Sequence, residues 1–140
     1  MSSINRTVDN ILKGKISIIQ LKHGFRYGFD TVFLAAFVNS FLIRYKRKNV
    51  LLADVGSGVG TISLIIAYKN KKIKLTAIEN NDQYLELAEE NIINNNFQKQ
   101  INLFNCDVFN INKDFLNTFD IVVSNPPFYN CLLYTSDAAD

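Results

Sequence analysis

The stretch NVLLADVGSGVGTISLIIAYK, Asn49 to Lys69, decides how the rest of the chain is read. Its first half, VLLADV, is a short apolar run that breaks into glycines, and its second half, TISLIIAYK, is apolar around most of a helical turn. A buried strand feeding a buried helix reads this way, because a parallel strand covered on both faces needs no polar alternation. Gly56, Gly58 and Gly60 stand at alternate positions between the two elements. Glycines there let the backbone turn tightly and lie against a ligand at the helix N-terminus, where side chains would obstruct the approach. A dinucleotide fingerprint would place its third glycine where Thr61 stands, and no Gly-Lys-Ser/Thr follows, so neither NAD nor a P-loop nucleotide is indicated. A structural strand-to-helix turn also uses glycine, and the loop alone names no ligand.

The alternation continues on both sides. IKLTAIE is a second strand; Asn80, with Gln83 three residues on, resembles a capping box opening the helix DQYLELAEENIINN, in which Leu85, Ala88 and Ile92 recur at helical spacing. INLFNCD and FDIVVSN are two more strands, joined by a short polar link through Lys113. Upstream, KISIIQLKHGFRYG offers two extended runs around a Lys-His-Gly turn and is expected to form a hairpin, after which Asp30 can cap a helix reaching about Ile43. The apolar run inside that helix, TVFLAAFVNSFLI, is interrupted by Asn39 and Ser40 and is shorter than the roughly 20 residues a bilayer requires, so it reads as a buried helix and no membrane span is expected. Strands and helices alternating in this order imply right-handed βαβ units. The expected fold is α/β: part of a Rossmann-like domain with four parallel strands and flanking helices, preceded by a hairpin and helix. Residues 1–49 form the N-terminal segment, 50–130 the sheet-bearing half-domain, and 131–140 a separate tail.

Composition fits that reading. With 140 residues, 48% of them hydrophobic, the chain suits one globular domain with a real core. MSSINRTVDN lacks the apolar centre of a signal peptide, and Cys106 and Cys131 have no metal-ligand spacing, so a reducing, cytoplasmic setting without a metal site is expected. The net charge of +2 conceals an asymmetry: residues 1–50 carry +7 and the remainder −5. The basic half can meet phosphates, although RYKRK, Arg44 to Lys48, also suits a solvated helix end.

In a parallel sheet, chemistry collects at the C-terminal ends of the strands. The second strand ends in Glu79, where a carboxylate can accept hydrogen bonds from the vicinal hydroxyls of a ribose. The third ends in Cys106-Asp107, where a carboxylate can receive the amino group of an adenine ring. Each is also compatible with an ordinary solvated acid; the three successive strand ends together argue for a nucleoside cofactor. The fourth strand runs into SNPPF, in which proline cannot continue a ladder and each proline holds its predecessor extended, so Asn125 to Phe128 form a stiff lip.

DVGSGVG, the strand end AIE, the aspartate of NCD and SNPPF, in this order, resemble the motifs of class I S-adenosylmethionine-dependent methyltransferases, in the Asn-Pro-Pro-Tyr/Phe branch that methylates amino groups. The upstream segment LKHGFRYGFDTVFLAAFV is similar to the N-terminus of the bacterial tRNA1(Val) adenine-N6 methyltransferase family, and the whole resemblance runs from about residue 8 to Tyr129. It implies S-adenosyl-L-methionine as cofactor, with Asp54, Gly56, Gly58 and Gly60 on its methionine part, Glu79 on its ribose and Asp107 on its adenine. It implies tRNA or another RNA as partner, with Asn125, Pro126, Pro127 and Phe128 as the catalytic lip. There the Asn125 side-chain oxygen and the Pro126 carbonyl would take the two N–H groups of an adenine amine, and Phe128 would stack on the base. Phe25, Tyr27 and Phe29 are expected mainly to pack on the sheet.

Protein glutamine-N5 and ribosomal RNA guanine-N2 methyltransferases resemble the same pattern, usually with a larger domain ahead of the glycine loop; only about fifty residues precede Asp54 here. A non-catalytic nucleoside or nucleic-acid binder is the remaining alternative. The resemblance also implies a seven-stranded sheet, of which four strands are supplied, so the last strand is expected to leave an open apolar edge and the fragment alone to be inactive. CLLYTSDAAD, Cys131 to Asp140, resembles an in-frame translation of a sequencing adapter and is expected to be a non-native tail.

Overall fold

A computed structural model describes residues 5–127. The chain runs β1 (Arg6–Ile11), β2 (Ile16–Leu21), α1 (Phe29–Arg44), β3 (Leu51–Val55), α2 (Thr61–Lys69), β4 (Lys74–Glu79), α3 (Asp82–Asn94) and β5 (Ile101–Asn105). Two 3-10 turns, Val108–Asn110 and Lys113–Phe115, then lead to β6 (Ile121–Ser124). Phe128 and the expected tail Cys131 to Asp140 lie outside the described residues.

The four apolar runs form one parallel sheet in the order β5-β4-β3-β6. Leu52 and Asp54 of β3 face Leu75 and Ala77 of β4 on one side and Ile121 and Val123 of β6 on the other. Because all four strands point the same way, Val55, Glu79, Asn105 and Ser124 end at one edge of the sheet. The chain order supplies the crossovers: β3 passes through α2 to β4, and β4 through α3 to β5. α2 is buried at every residue from Thr61 to Ala67, as its uniformly apolar sequence requires. Among the described residues β6 is the terminal strand of the sheet, and its Val122 is 63% exposed.

Four expectations change at the N-terminus and in the helices. The hairpin does not turn at Lys-His-Gly: β2 pairs with the upstream β1, Arg6 opposite Leu21 and Ile11 opposite Ile16. The intervening turn places Leu12, Lys13 and Gly14 in the left-handed region. β1 is too polar to show a strand period, and long-range partners hold it. Arg6 reaches Glu90 at 2.7 Å and Glu86 at 3.1 Å on α3, while Asp9 accepts from Gln20 and, at 3.2 Å, from Arg26. The cap of α1 is Gly28 rather than Asp30, and the cap of α3 is Asn81 rather than Asn80. Asn81 Oδ1 accepts from the backbone N–H groups of Gln83 and Tyr84, while the backbone N–H groups of Asn80 and Asn81 both donate to Glu79. Finally, α1 is not a buried helix. It buries Thr31, Ala35 and Val38, which share one face, whereas Phe29, Phe33 and Phe37 are 84%, 70% and 71% exposed, and their face is bare among the described residues.

The hairpin is fastened by two asparagines one turn apart, Asn91 on α3 and Asn95 at its C-cap. Asn91 Oδ1 accepts from Ile19 N at 2.7 Å, and its Nδ2 donates to Ile19 O at 2.9 Å and to Val59 O at 3.0 Å in the glycine loop. Asn95 repeats the pattern on Ser17, accepting from N at 3.0 Å and donating to O at 2.7 Å. The two side chains therefore act as a substitute strand along the free edge of β2. Asn91 is fully buried, so removing its amide leaves backbone groups without partners in a dry site. Asn91→Asp, the same size, would set a second oxygen against two carbonyls. We expect it to lower stability in urea unfolding by about 3 kcal/mol, whereas Asn94→Asp on the exposed face of the same helix stays within about 0.5 kcal/mol.

Candidate functional site

The turn between β3 and α2 begins with two backbone hydrogen bonds to the neighbouring strand, from Gly56 N and Ser57 N to Ile78 O at 2.9 and 3.0 Å. It closes with Gly60 N donating to Ser57 O at 2.9 Å. Gly56 (φ +68°) and Gly58 (φ +55°) sit in the left-handed region, and a Cβ on either would meet no heavy atom within 4 Å. Open space beside a backbone that side chains disfavour is the shape of a cradle for something other than protein. Gly60, also left-handed, is the N-cap of α2.

Glu79 supports this loop from below. Its Oε2 accepts from Gly58 N at 2.9 Å, and its Oε1 from Asn80 N and Asn81 N at 2.9 and 3.0 Å. An ionised carboxylate offers about four acceptor positions, so three N–H groups leave room for a hydroxyl without loss of any of them. Asp107, on the adjoining strand end, accepts from Phe109 N at 3.0 Å and caps the first 3-10 turn.

Asp54 is fully buried beneath the loop. Ser63 Oγ donates to its Oδ2 at 2.7 Å, and its Oδ1 has no partner; nor do the buried hydroxyls of Ser57 and Thr61. Burial pushes the Asp54 carboxyl up to about 6, with the bond from Ser63 opposing the shift and the Glu79 charge adding to it. Three polar atoms around one glycine loop are thus left without a protein partner.

A small cleft of about 40 Å³, open to solvent, lies above. Gly56, Ser57, Gly58, Val59 and Thr61 form one wall, and Phe25, Tyr27, Thr31, Tyr84 and Asn125 much of the rest. Of the residues singled out from the sequence, Gly56, Gly58 and Asn125 meet in this cleft. Asp54, Gly60, Glu79 and Asp107 are placed around the same strand ends without lining it, and Pro126 and Pro127, which follow Asn125, are exposed and do not line it either. Phe25 and Phe29 do not pack on the sheet: Phe25 is half-exposed at the cleft and Phe29 is solvent-facing, while Tyr27 alone joins the core. Burial and the neighbouring Asp9 carboxylate push the Tyr27 phenol up.

Asn125 connects the two halves of the cleft. Its Nδ2 donates to Asp30 Oδ2 at 2.7 Å and to Thr31 Oγ1 at 3.1 Å on the first turn of α1. Ser124 Oγ, just before it, donates to Val55 O at 2.9 Å and ties the lip to β3. Tyr84 does the same for the N-terminal segment, its Oη accepting from Phe25 N at 3.2 Å. Ser57, Thr61, Thr31 and Tyr84 were not read as site residues in the sequence, since a hydroxyl in a loop or in a helix's first turn has no distinctive spacing.

Asp54 makes stability pH-dependent in a stated direction. Between about pH 4 and 6 the folded protein keeps a proton that the unfolded chain has released, so stability falls as pH rises across that window and is flat above it. The expected loss is on the order of 3 kcal/mol. Urea unfolding of Asp54→Asn at pH 4, 5, 6 and 7 should lack this slope; an unchanged slope would place its origin elsewhere.

Comparisons with known proteins bear on this geometry. The methyltransferase small domain family matches residues 32–139. The chain is 33% identical over 117 residues to the tRNA1(Val) (adenine(37)-N6)-methyltransferase of Flavobacteriaceae bacterium strain 3519-10, covering 82% of this chain and 46% of that protein. It is 34% identical over 100 residues to the release factor glutamine methyltransferase of Fusobacterium nucleatum, covering 71% of this chain and 27% of that protein. A SAM-dependent methyltransferase from Agrobacterium tumefaciens superposes with a TM-score of 0.70 over 93% of this chain and 42% of that one, at 14% identity. The chain thus spans less than half the length of these proteins.

Proposed function

The chain belongs to the methyltransferase small domain family, and from that premise we propose that its cleft binds S-adenosyl-L-methionine for methylation of an exocyclic amino group, adenine N6 of a tRNA. One observation carries the reading furthest. The open cradle at Gly56 and Gly58 and the Asn125 amide, whose nitrogen is already taken, line the same cleft.

The residues present fit the cofactor. The unpartnered Asp54 Oδ1 and the hydroxyls of Ser57 and Thr61 suit the ammonium and carboxylate of its methionine part, with Gly56, Gly58 and Gly60 giving the backbone room. Glu79 has acceptor capacity for a ribose hydroxyl, and Asp107 stands on the next strand end for the adenine amine. When bound, the cofactor would supply a methyl group on a sulfonium, a leaving group that would keep the C–S electron pair. The chain's task is then to hold the amine in line and direct its lone pair. Asn125 Oδ1 and the Pro126 carbonyl accept its two N–H groups, which localises the lone pair otherwise delocalised into the ring; one proton then leaves to water. Alignment and electrostatics suffice, since the leaving group is already good. Phe128 is assigned to stacking on the base.

An RNA partner is supported by the tRNA methyltransferase at 33% identity and by the exposed cations of the N-terminal half. Arg6, Arg26 and Arg47 are committed to ion pairs, but Lys13, Lys15, Lys22, Arg44, Lys46 and Lys48 are exposed. The glutamine methyltransferase at 34% identity supports a second reading, in which the amine is a protein glutamine amide. We place the enzyme in the cytoplasm; no helix among the described residues is long and apolar enough to cross a membrane. Turnover is assigned to a chain of the relatives' length.

Labelled-methyl transfer by the full-length chain, offered unmodified tRNA and a release-factor peptide in parallel, decides among these. Transfer to an adenine of tRNA supports the reading, transfer to the peptide favours the second, and cofactor binding without transfer to either favours a binder. Asn125→Ala is expected to lower kcat at least 100-fold; normal turnover would remove Asn125 from the mechanism. Gly58→Ala, which fills the cradle, is expected to weaken cofactor binding at least tenfold by calorimetry.

A further inference from the structure

We propose that Asp30 and Thr31 are positioning residues that fix which face of the Asn125 amide meets the substrate, holding its nitrogen inward so that only the oxygen is presented. The inference rests on the reading of Asn125 as the acceptor for the reacting amine.

A side-chain amide has nearly the same shape in its two flipped orientations, but the orientations have opposite chemistry. With the oxygen outward it accepts from the amine and directs its lone pair; with the nitrogen outward it sets N–H against N–H. The main chain cannot choose between them. Asn125 precedes Pro126, which holds its backbone extended, and this leaves the side-chain torsions free. A carboxylate only accepts hydrogen bonds, so the 2.7 Å contact with Asp30 Oδ2 admits only the nitrogen of Asn125. Thr31 Oγ1, at 3.1 Å on a side chain only 5% exposed, takes up the same nitrogen. Both hydrogens of the amide are then committed.

The first turn of α1 is built around this contact. Asp30 lies where a carboxylate ordinarily serves the helix terminus, yet Gly28 is the N-cap and makes no side-chain cap bond. A Cβ on Gly28 would lie 2.7 Å from Asp30 Oδ1, although Gly28 has an extended φ of −123° that any residue adopts. A Cβ there would push the Asp30 carboxylate from its present position, which that exposed side chain can accommodate by rotating. The bond from Asn125 is in turn the main cause that holds the Asp30 carboxyl below its ordinary value, so the acceptor stays ionised.

The test uses the full-length chain with unmodified tRNA, reading kcat, KM for tRNA, cofactor affinity by calorimetry and the unfolding midpoint. Asp30→Ala is expected to lower kcat at least tenfold, with cofactor affinity within twofold and the midpoint unchanged. Asp30→Asn, whose own amide oxygen can accept, should recover part of that loss. Thr31→Val should lower kcat less than Asp30→Ala. Gly28→Ala, which leaves every polar group in place and only crowds the Asp30 carboxylate, should lower kcat less than Asp30→Ala. Normal kcat in Asp30→Ala alongside a crippled Asn125→Ala would overturn the positioning role and leave the function intact. Parallel losses of kcat, cofactor affinity and stability would overturn it in favour of a structural one. Normal kcat in Asn125→Ala would remove the premise as well.

Discussion

The buried amide of Asn91 is the constraint on which the arrangement depends. One side chain holds Ile19 of the hairpin by both its backbone groups and Val59 of the glycine loop by its carbonyl. It thereby sets the distance between a segment that arrives first in the chain and the loop formed some forty residues later. Phe25, Tyr27 and Thr31, which follow the hairpin in the chain, line the same cleft as Gly56 and Gly58. Apolar packing would hold the hairpin against the helix, but it is non-directional and would not fix its register. The paired bonds of Asn91 and Asn95 do, by offering β2 the hydrogen-bond geometry of a neighbouring strand.

The cleft combines surfaces of two kinds. Its floor is rigid: Glu79 gathers three backbone N–H groups from the glycine loop and the start of α3, so the loop's conformation does not wait for a ligand. Its walls come from the N-terminal segment and the Asn125 lip, joined by hydrogen bonds between residues more than ninety positions apart. Pre-formed donors and acceptors lose less on binding than groups that must be ordered first. The unpartnered oxygen of Asp54 and the bare hydroxyls of Ser57 and Thr61 are costs the folded protein carries at the same place.

The parallel strands and α2 were legible in the sequence because complete burial leaves continuous apolar runs, and the glycine loop because left-handed backbone leaves glycine. The resemblance of DVGSGVG, AIE, NCD and SNPPF likewise carried family and fold, with residues 32–139 matched. β1 was not legible. Its Arg6, Asp9 and Asn10 look like loop residues until Glu86, Glu90 and Arg26 are beside them. Asp30 was read as a cap because a carboxylate in a first turn ordinarily is one, and its actual partner lies 95 positions away. The exposed phenylalanine face of α1 escaped for a related reason: an all-apolar helix pattern shows that some faces are buried, not which one stays open.

The central claim is that the glycine loop, Glu79 and the Asn125 lip address one molecule. A crystal structure of the full-length chain with S-adenosylhomocysteine tests it most directly. The account expects the amino-acid end of the ligand at Asp54, Ser57 and Thr61, its ribose on Glu79, and its sulfur facing the Asn125 oxygen with the amide nitrogen still on Asp30. Ligand seated away from the Gly56–Gly58 cradle, or a sulfur turned away from Asn125, would contradict it.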